Sequence, residues 1–130
     1  MNKRKFGIIG EKIAQGFLIN KGYKIIDTNF YTRKGEIDVI AKKNDIIVFV
    51  EVKTRTNLEY GTPANAVNSI KKKHLRKAAE IFLHINKLQM YEVRFDVIEI
   101  FIKDGKCNIN HIEAIIWNNL PKTLKAVIIY

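Results

Sequence analysis

The chain has 130 residues and a formal net charge of +10 at pH 7, from 23 Lys and Arg residues against 13 Asp and Glu residues. This length suits one domain of ordinary size, and 47% hydrophobic with 28% charged residues is a globular composition that excludes a disordered chain. The excess of cations favours a polyanionic partner, with nucleic acid ahead of an anionic membrane surface.

Cysteine, histidine and apolar runs limit the chemistry further. The single cysteine, Cys107, excludes an intramolecular disulfide and a cysteine-based zinc cluster, and we interpret it as a core residue. The histidines are scattered, without metal-binding spacing. The basic start at Lys3 to Lys5 lacks the apolar run of a secretory signal, and no segment approaches the ~18 apolar residues of a transmembrane helix. We therefore expect a cytoplasmic protein with no membrane partner.

The first part of the chain predicts a helix and a strand. Apolar residues recur at helical spacing from Phe6 to Asn20, and Gly22 stands where a glycine commonly ends a helix. Residues 23–26 are predicted as a short strand, and the polar residues 27–29 as a turn.

The middle of the chain predicts a hairpin followed by a long helix. Strand-like runs at 36–41 and 46–53 flank a turn at 42–45. A polar loop follows, and Pro63 suits the first turn of a second amphipathic helix, whose apolar stripe runs from Ala66 to Leu83.

Strand periodicity returns from Tyr91 to Ile102, and a turn then leads to a partner strand at 108–116. The order of elements predicts an α/β fold with a mixed sheet flanked by helices, in a single domain over residues 1–116. Residues 117–130 form a C-terminal tail to which the sequence assigns no role.

The hairpin predicts an acidic pair. If Asn44 and Asp45 form a two-residue turn, Asp38 lies opposite Glu51 and Glu36 lies opposite Lys53. Facing residues have Cβ atoms ~5 Å apart, so the two carboxylates repel each other unless a cation lies between them. A divalent ion such as Mg²⁺, which prefers oxygen ligands, would relieve that repulsion. The alternative is a cross-strand ion pair of Glu36 with Lys53 beside solvated acids.

Basic residues form the second signal. Phosphate contacts by such residues supply most non-specific affinity for nucleic acid, although a charge run can equally be a solvated helix face. Glu80 is the only acid between Pro63 and Tyr91, which weakens the solvated-face interpretation. The candidate nucleic-acid-binding residues are Arg33, Lys34, Arg55, Lys71, Lys72, Lys73, Arg76 and Lys77.

Arg94 and Asp96 share one strand face and are predicted either to form a buried ion pair or to support the neighbouring strand. His74 is interpreted as an exposed helix residue. Glu11, in the early turns of the first helix, either reaches the acidic pair or only favours the helix dipole.

Several segments together resemble the YraN-like family of uncharacterised bacterial proteins. Asp38 followed by Glu51-Val52-Lys53 also resembles the signature of the restriction-endonuclease-like nuclease superfamily, which includes the Holliday-junction resolvases. The resemblance spans roughly residues 7–113. The segments that carry it are Gly10-Glu11, 35–41, 48–55, 60–63, Ala66-Val67, 71–73 and 94–97.

The resemblance implies a restriction-endonuclease-like fold and a Mg²⁺ or Mn²⁺ site. Asp38 and Glu51 would be metal ligands and catalytic residues, and the Val52 carbonyl would be a further ligand. Glu11 would take the place of the helix-borne acid of the resolvases as a further metal ligand, and Lys53 would be the catalytic lysine of the motif. Glu36 receives no assigned role.

These observations favour a Mg²⁺-dependent nuclease that hydrolyses phosphodiester bonds in DNA, and structure-selective cleavage is one form this could take. One alternative is a catalytically inactive nucleic-acid-binding module with a nuclease-like fold. Another is an interaction protein that docks through the apolar residues 126–130. A homodimer is a further expectation, and binding to anionic lipid ranks last.

Overall fold

A computed structural model describes residues 2–56 and 69–113, with the side chains of 69–72 outside that description. Within these ranges the elements are α1 (Lys3–Asn20), β1 (Lys24–Tyr31), β2 (Glu36–Lys43), β3 (Ile46–Arg55), α2 (Ser69–Ile85), β4 (Glu92–Lys103) and β5 (Lys106–Ile112). The strands form one five-stranded sheet in the order β1-β2-β3-β4-β5, parallel between β3 and β4 and antiparallel elsewhere. This confirms the predicted α/β fold and is consistent with a nuclease-like fold.

Each face of the sheet has its own hydrophobic core. Ala14 and Leu18 of α1 pack against one face, on residues such as Val50 of β3. On the opposite face, Phe82 of α2 packs in a cluster with Phe49. The charged end of β3 therefore begins where two apolar cores end. Within the described ranges, neither helix is long and apolar enough to cross a membrane.

The first helix begins earlier than the sequence pattern predicts. The side chain of Asn2 caps it by accepting a hydrogen bond from the backbone N–H of Lys5 at 2.9 Å. The basic residues before Phe6 are therefore helical. The predicted end is confirmed, because Gly22 adopts φ +92°, a left-handed conformation that glycine reaches without strain.

The prediction of a turn at residues 27–29 is wrong. β1 continues through this segment and pairs with β2, with Thr28 opposite Val39. A register shift between Ile25 and Asp27 accommodates the extra residue, as a β-bulge does. The polar composition of the segment resembles a turn, but pairing with a buried neighbouring strand overrides that preference. The true turn follows, where the Thr32 hydroxyl accepts from the backbone N–H of Gly35 at 3.1 Å.

The hairpin register is confirmed at its turn end. Lys43 pairs with Ile46 and Val39 with Val50, and Asn44 takes a left-handed φ of +54°. These pairs follow the predicted two-residue turn.

The last hairpin begins its return strand at Lys106, two residues before the prediction, after a turn with Gly105 at φ +73°. Cys107 is exposed on the edge strand β5, so its interpretation as a core residue is wrong. The predicted strand end after Glu113, the helix start at Pro63 and the tail 117–130 lie outside the described residues.

The closest approach of α1 to β3 is at Gly10. A Cβ atom placed on Gly10 would lie 1.8 Å from Oγ1 of Thr54, far inside van der Waals contact. The helix backbone can therefore lie this close to β3 only because residue 10 has no side chain. The contact brings the next residue, Glu11, to the charged end of β3.

We expect Gly10→Ala to destabilise the protein by about 1–3 kcal/mol, because the new methyl group must push α1 away from Thr54. Gly16→Ala is the matched control: a Cβ at Gly16 meets nothing within 4 Å, so alanine should stabilise the helix by about 0.5–1 kcal/mol. Urea unfolding of both variants measures these changes. Equal effects of the two substitutions would contradict the proposed contact.

Candidate functional site

The candidate site begins where β2 separates from β3. The backbone ladder of this pair ends at Val39 and Val50, and beyond it the carboxylate Oδ2 of Asp38 accepts the N–H of Val52 at 2.8 Å. A side chain thus takes the place of a backbone acceptor. The sequence predicts that Asp38 and Glu51 face each other across the hairpin. They lie close together, but they do not form a regular backbone-paired position of the two strands. Ile37, one residue before Asp38, packs with the α2-side core together with Ile40, so side-chain alternation breaks here.

The acidic pair is electrostatically unfavourable. Glu51 is only 7% exposed. The pKa of Asp38 rises from its ordinary value of 3.8 to about 8, because burial and then the charge of Glu51 disfavour its ionised form. The bond from Val52 opposes this rise, whereas Glu11 and Glu36 add to it. Three further carboxyl groups, from α1, β2 and β3, therefore act on Asp38.

Lys53 supplies positive charge at the acidic pair. Its Nζ lies 3.4 Å from Oε1 of Glu51, and its side chain is 34% exposed. The ammonium group carries three donors, so a contact with Glu51 leaves it able to donate to a further acceptor. The alternative pairing of Lys53 with Glu36 is not the one observed.

Glu36 and Glu11 meet at Asn29 instead. The Asn29 side-chain amide donates to Oε1 of Glu11 at 3.0 Å and to Oε1 of Glu36 at 2.9 Å. Asn29 has a left-handed φ of +50°, a conformation that asparagine tolerates better than most residues. The amide thus joins α1, β1 and β2 beside Asp38, and Glu11 does reach the site.

A buried ion pair supports the far side of the site. Glu99 of β4 is 2% exposed and lies in register with Lys53 of β3. Its Oε2 lies 3.1 Å from Nε of Arg55, and Asn110 of β5 donates to its other oxygen at 3.3 Å. The side chain of Arg55 is 15% exposed, so most of it is buried against the end of the sheet beside Glu99.

The predicted basic residues fall into two groups around this end. Arg33 and Lys34 lie exposed in the turn before β2. This turn lies close to α2, as shown by Gly35, where an added Cβ would be 3.3 Å from Cβ of His74. On α2, Lys73 and Lys77 are exposed together with His74, whereas Arg76 is half-buried. The side chains of Lys71 and Lys72 are not described.

The oxygen donors of the acidic pair suit a hard divalent cation. In the part of the chain that the structure describes, no three His, Cys, Asp or Glu side chains converge as a metal site. Asp38 and Glu51 nevertheless supply carboxylate oxygens whose repulsion a cation would relieve. Because the N–H and C=O of one strand residue point to the same neighbouring strand, the Val52 carbonyl is directed to the same side as Asp38.

Comparison with known sequences identifies the family. The model of the uncharacterised protein family UPF0102 matches residues 10–100. The chain belongs to this family. This match confirms the resemblance to the YraN-like family that the sequence motifs indicated.

Similar UPF0102 proteins occur in several bacteria. The protein from Caldicellulosiruptor bescii is 51% identical over 116 residues, which is 88% of this chain and 97% of that protein. The protein from Alkaliphilus oremlandii is 50% identical over 115 residues, covering 87% and 97% of the two chains. The crystal structure of SSO0001 matches with a TM-score of 0.34 and 18% identity over 93% of this chain and 55% of that one, a likeness too distant to carry an argument.

Sequence reasoning missed two site residues of this UPF0102 chain. Glu99 gave a usable signal, because it is a lone acid in the apolar run from Val97 to Ile100, where an unpaired charge is costly. The sequence contains no comparable signal for Asn29, because the polar segment around it resembles a turn.

A second charged network lies on the α1 face of the UPF0102 sheet, around Asp96 of β4, which is in register with Val50 of β3. Asp96, whose side chain is fully buried, accepts from Nε and Nη2 of Arg94 at 2.9 Å each, and its Oδ2 lies 2.8 Å from Nε2 of His111. Arg94 also donates to the Tyr23 hydroxyl, and the Nζ of Lys21 lies 2.8 Å from Nδ1 of His111. The predicted buried pair is therefore confirmed, and it fastens β4 to β5 and to the end of α1.

Proposed function

We propose that this UPF0102 protein is a metal-dependent nuclease that hydrolyses phosphodiester bonds in DNA. The observation that carries the proposal is the raised pKa of Asp38 beside the buried Glu51, at a sheet end where Lys53 also lies. Structural ion pairs also shift pKa values, but the pKa of Asp38 is raised first by burial and then by repulsion from Glu51, and neither is the attraction that a structural ion pair supplies.

Asp38, Glu51 and the Val52 carbonyl would hold Mg²⁺ or Mn²⁺, with Glu11 as a neighbouring acid. Bound there, the ion would polarise a phosphate oxygen and neutralise charge that develops during hydrolysis. Lys53 would donate to the attacking water or to a phosphate oxygen, a contribution of about 10²–10⁴ in rate for a well-placed group. Asn29 would keep Glu11 and Glu36 in position at the rim of the site.

The exposed basic residues would hold the sugar–phosphate backbone without reading base sequence. Arg33 and Lys34 stand on the turn that packs against α2, next to the exposed Lys73 and Lys77. Contacts of this kind give affinity that falls steeply with salt. Cutting both strands of a duplex would require two sites, and the homodimer stays a prediction.

Incubation of duplex, single-stranded and branched DNA with Mg²⁺ or Mn²⁺ tests the nuclease. We expect wild-type cleavage that EDTA stops, and a loss of at least ~10²-fold in rate for Asp38→Asn and Glu51→Gln. Glu113→Gln, which removes a 48% exposed acid just after the edge strand β5, is the matched control and should cleave normally. Equal cleavage by wild type and Asp38→Asn would identify a contaminant and remove the proposal.

The second candidate is a nucleic-acid-binding module that does not turn over. It is favoured by the Lys53 ammonium at 3.4 Å from Glu51, which already supplies one cation to the acidic pair, and by the lack of three convergent acids in the described ranges. Salt-sensitive DNA binding that is unaffected by Mg²⁺ and by Asp38→Asn, with no cleavage of any substrate, would select this function.

A further inference from the structure

The first turn of α1 carries a cluster of cations that the helix itself does not need. Lys3, Arg4 and Lys5 are all exposed, and the turn contains no acid. The positive end of the helix dipole disfavours cations at this position. We call these three residues the amino-terminal basic turn.

The amino-terminal basic turn lies at the same end of the sheet as the candidate site. The contact between Gly10 and Thr54 places the amino-terminal half of α1 over the end of β3. Arg4 precedes Glu11 by seven residues, so both lie on one stripe of the helix, and Glu11 is bound to Asn29. The pKa of the exposed Tyr31, at the end of β1, is raised chiefly by Glu36, and Arg4 is near enough for its charge to oppose that rise.

We propose that the amino-terminal basic turn binds the sugar–phosphate backbone of the nucleic acid at the candidate site. This rests on the proposed function, since it takes nucleic acid as the substrate. The cations of α2 and of the turn before β2 lie on one side of Asp38, and α1 lies on the opposite face of the sheet. A backbone held by both groups would pass over the acids between them.

Nucleic acid fits this turn better than a membrane does. A helix that lies on a bilayer inserts its apolar face, and the apolar face of α1, with Ala14 and Leu18, is packed on the sheet. The exposed part of the turn is polar and offers charge for phosphate groups rather than surface for acyl chains.

Salt-dependent DNA binding in EDTA tests the proposal without cleavage. The test variant is Lys3→Gln/Arg4→Gln/Lys5→Gln, followed by fluorescence anisotropy on a labelled duplex and a labelled single strand. We expect affinity at least about tenfold lower at low salt, and a slope of log affinity against log salt reduced by about two to three on the duplex.

The matched control is Lys24→Gln/Lys42→Gln/Lys87→Gln, which removes three lysines at the opposite end of the sheet and should retain the wild-type slope. Circular dichroism checks that both variants are folded. Equal slopes for the two variants would overturn the proposal. Loss of binding to phosphatidylserine vesicles with DNA binding unchanged would assign the turn to a membrane and also overturn it.

The outcomes separate this inference from the nuclease. Binding that depends on the amino-terminal basic turn, without cleavage in Mg²⁺, would leave the inference standing and remove the nuclease. Cleavage with an unchanged salt slope would remove the inference alone. An absence of any DNA or RNA binding by the wild-type chain would remove both.

Discussion

Asp38→Asn is expected to stabilise the metal-free protein by about 2–4 kcal/mol above pH 8 and to leave its stability nearly unchanged near pH 4. The pKa of Asp38 is about 8 in the folded protein, chiefly because burial and Glu51 oppose ionisation, against 3.8 ordinarily. A shift of this size corresponds to several kcal/mol, and water that reaches the half-buried carboxyl group screens part of it. Asparagine keeps an oxygen for the N–H of Val52 without acquiring a charge.

The direction with pH follows from proton binding. Between pH 4 and 8 the folded protein holds the proton on Asp38 while the unfolded chain has lost it, so wild-type stability falls as the pH rises and levels off above 8. Urea unfolding of wild type and variant at several pH values in EDTA measures the difference. Asp104→Asn removes an acid from an exposed turn and should stay within ±0.5 kcal/mol of wild type throughout. A constant difference between Asp38→Asn and wild type would contradict the unfavourable acidic pair.

Asp96→Asn is expected to destabilise the protein by about 3–5 kcal/mol, because it removes the fully buried carboxylate that pairs with the half-buried guanidinium of Arg94. The two groups share two hydrogen bonds of 2.9 Å, and the side chain of Asp96 has no exposed surface. For a domain with ~5–15 kcal/mol of total stability this loss is large. The midpoint of urea unfolding measures it.

A double variant keeps the prediction testable if Asp96→Asn fails to fold. Arg94→Met/Asp96→Asn removes both charges, so it should be more stable than Asp96→Asn alone. Glu113→Gln removes a partly exposed member of the same network and should cost less than about 1 kcal/mol. A double variant whose loss equals the sum of its single losses would show that the two residues act independently.

The sequence was sufficient to predict those features that local spacing determines. Helical periodicity identified α1 and α2, and the two-residue turn at Asn44 fixed the register that pairs Val39 with Val50. Because the side chains in a strand alternate, this register also brought Asp38 near Glu51 before any tertiary contact was known.

Features set by packing between distant elements could not be predicted in the same way. The pairing of Lys53 with Glu99 depends on the offset between β3 and β4, which no short-range pattern specifies. The approach of Glu11 depends on how closely α1 lies on Thr54, and Gly10 becomes informative only once that neighbour is known. The polar residues around Asn29 form a strand because β2 lies beside them.

The two parts of the candidate site are built from contacts of different sequence separation. One part lies within the β2–β3 hairpin, and the other depends on pairing between β3 and β4. Asp38 and Glu51 belong to one hairpin, whose paired residues Val39 and Val50 lie 11 positions apart. Residues paired across β3 and β4 lie 46 positions apart, as Ile46 and Glu92 do, so closing that contact costs more chain entropy. We expect the hairpin to form first during folding, since local contacts precede distant ones. The repulsion between Asp38 and Glu51 would then destabilise this hairpin early in folding, before the ion pair of Arg55 with Glu99 has formed.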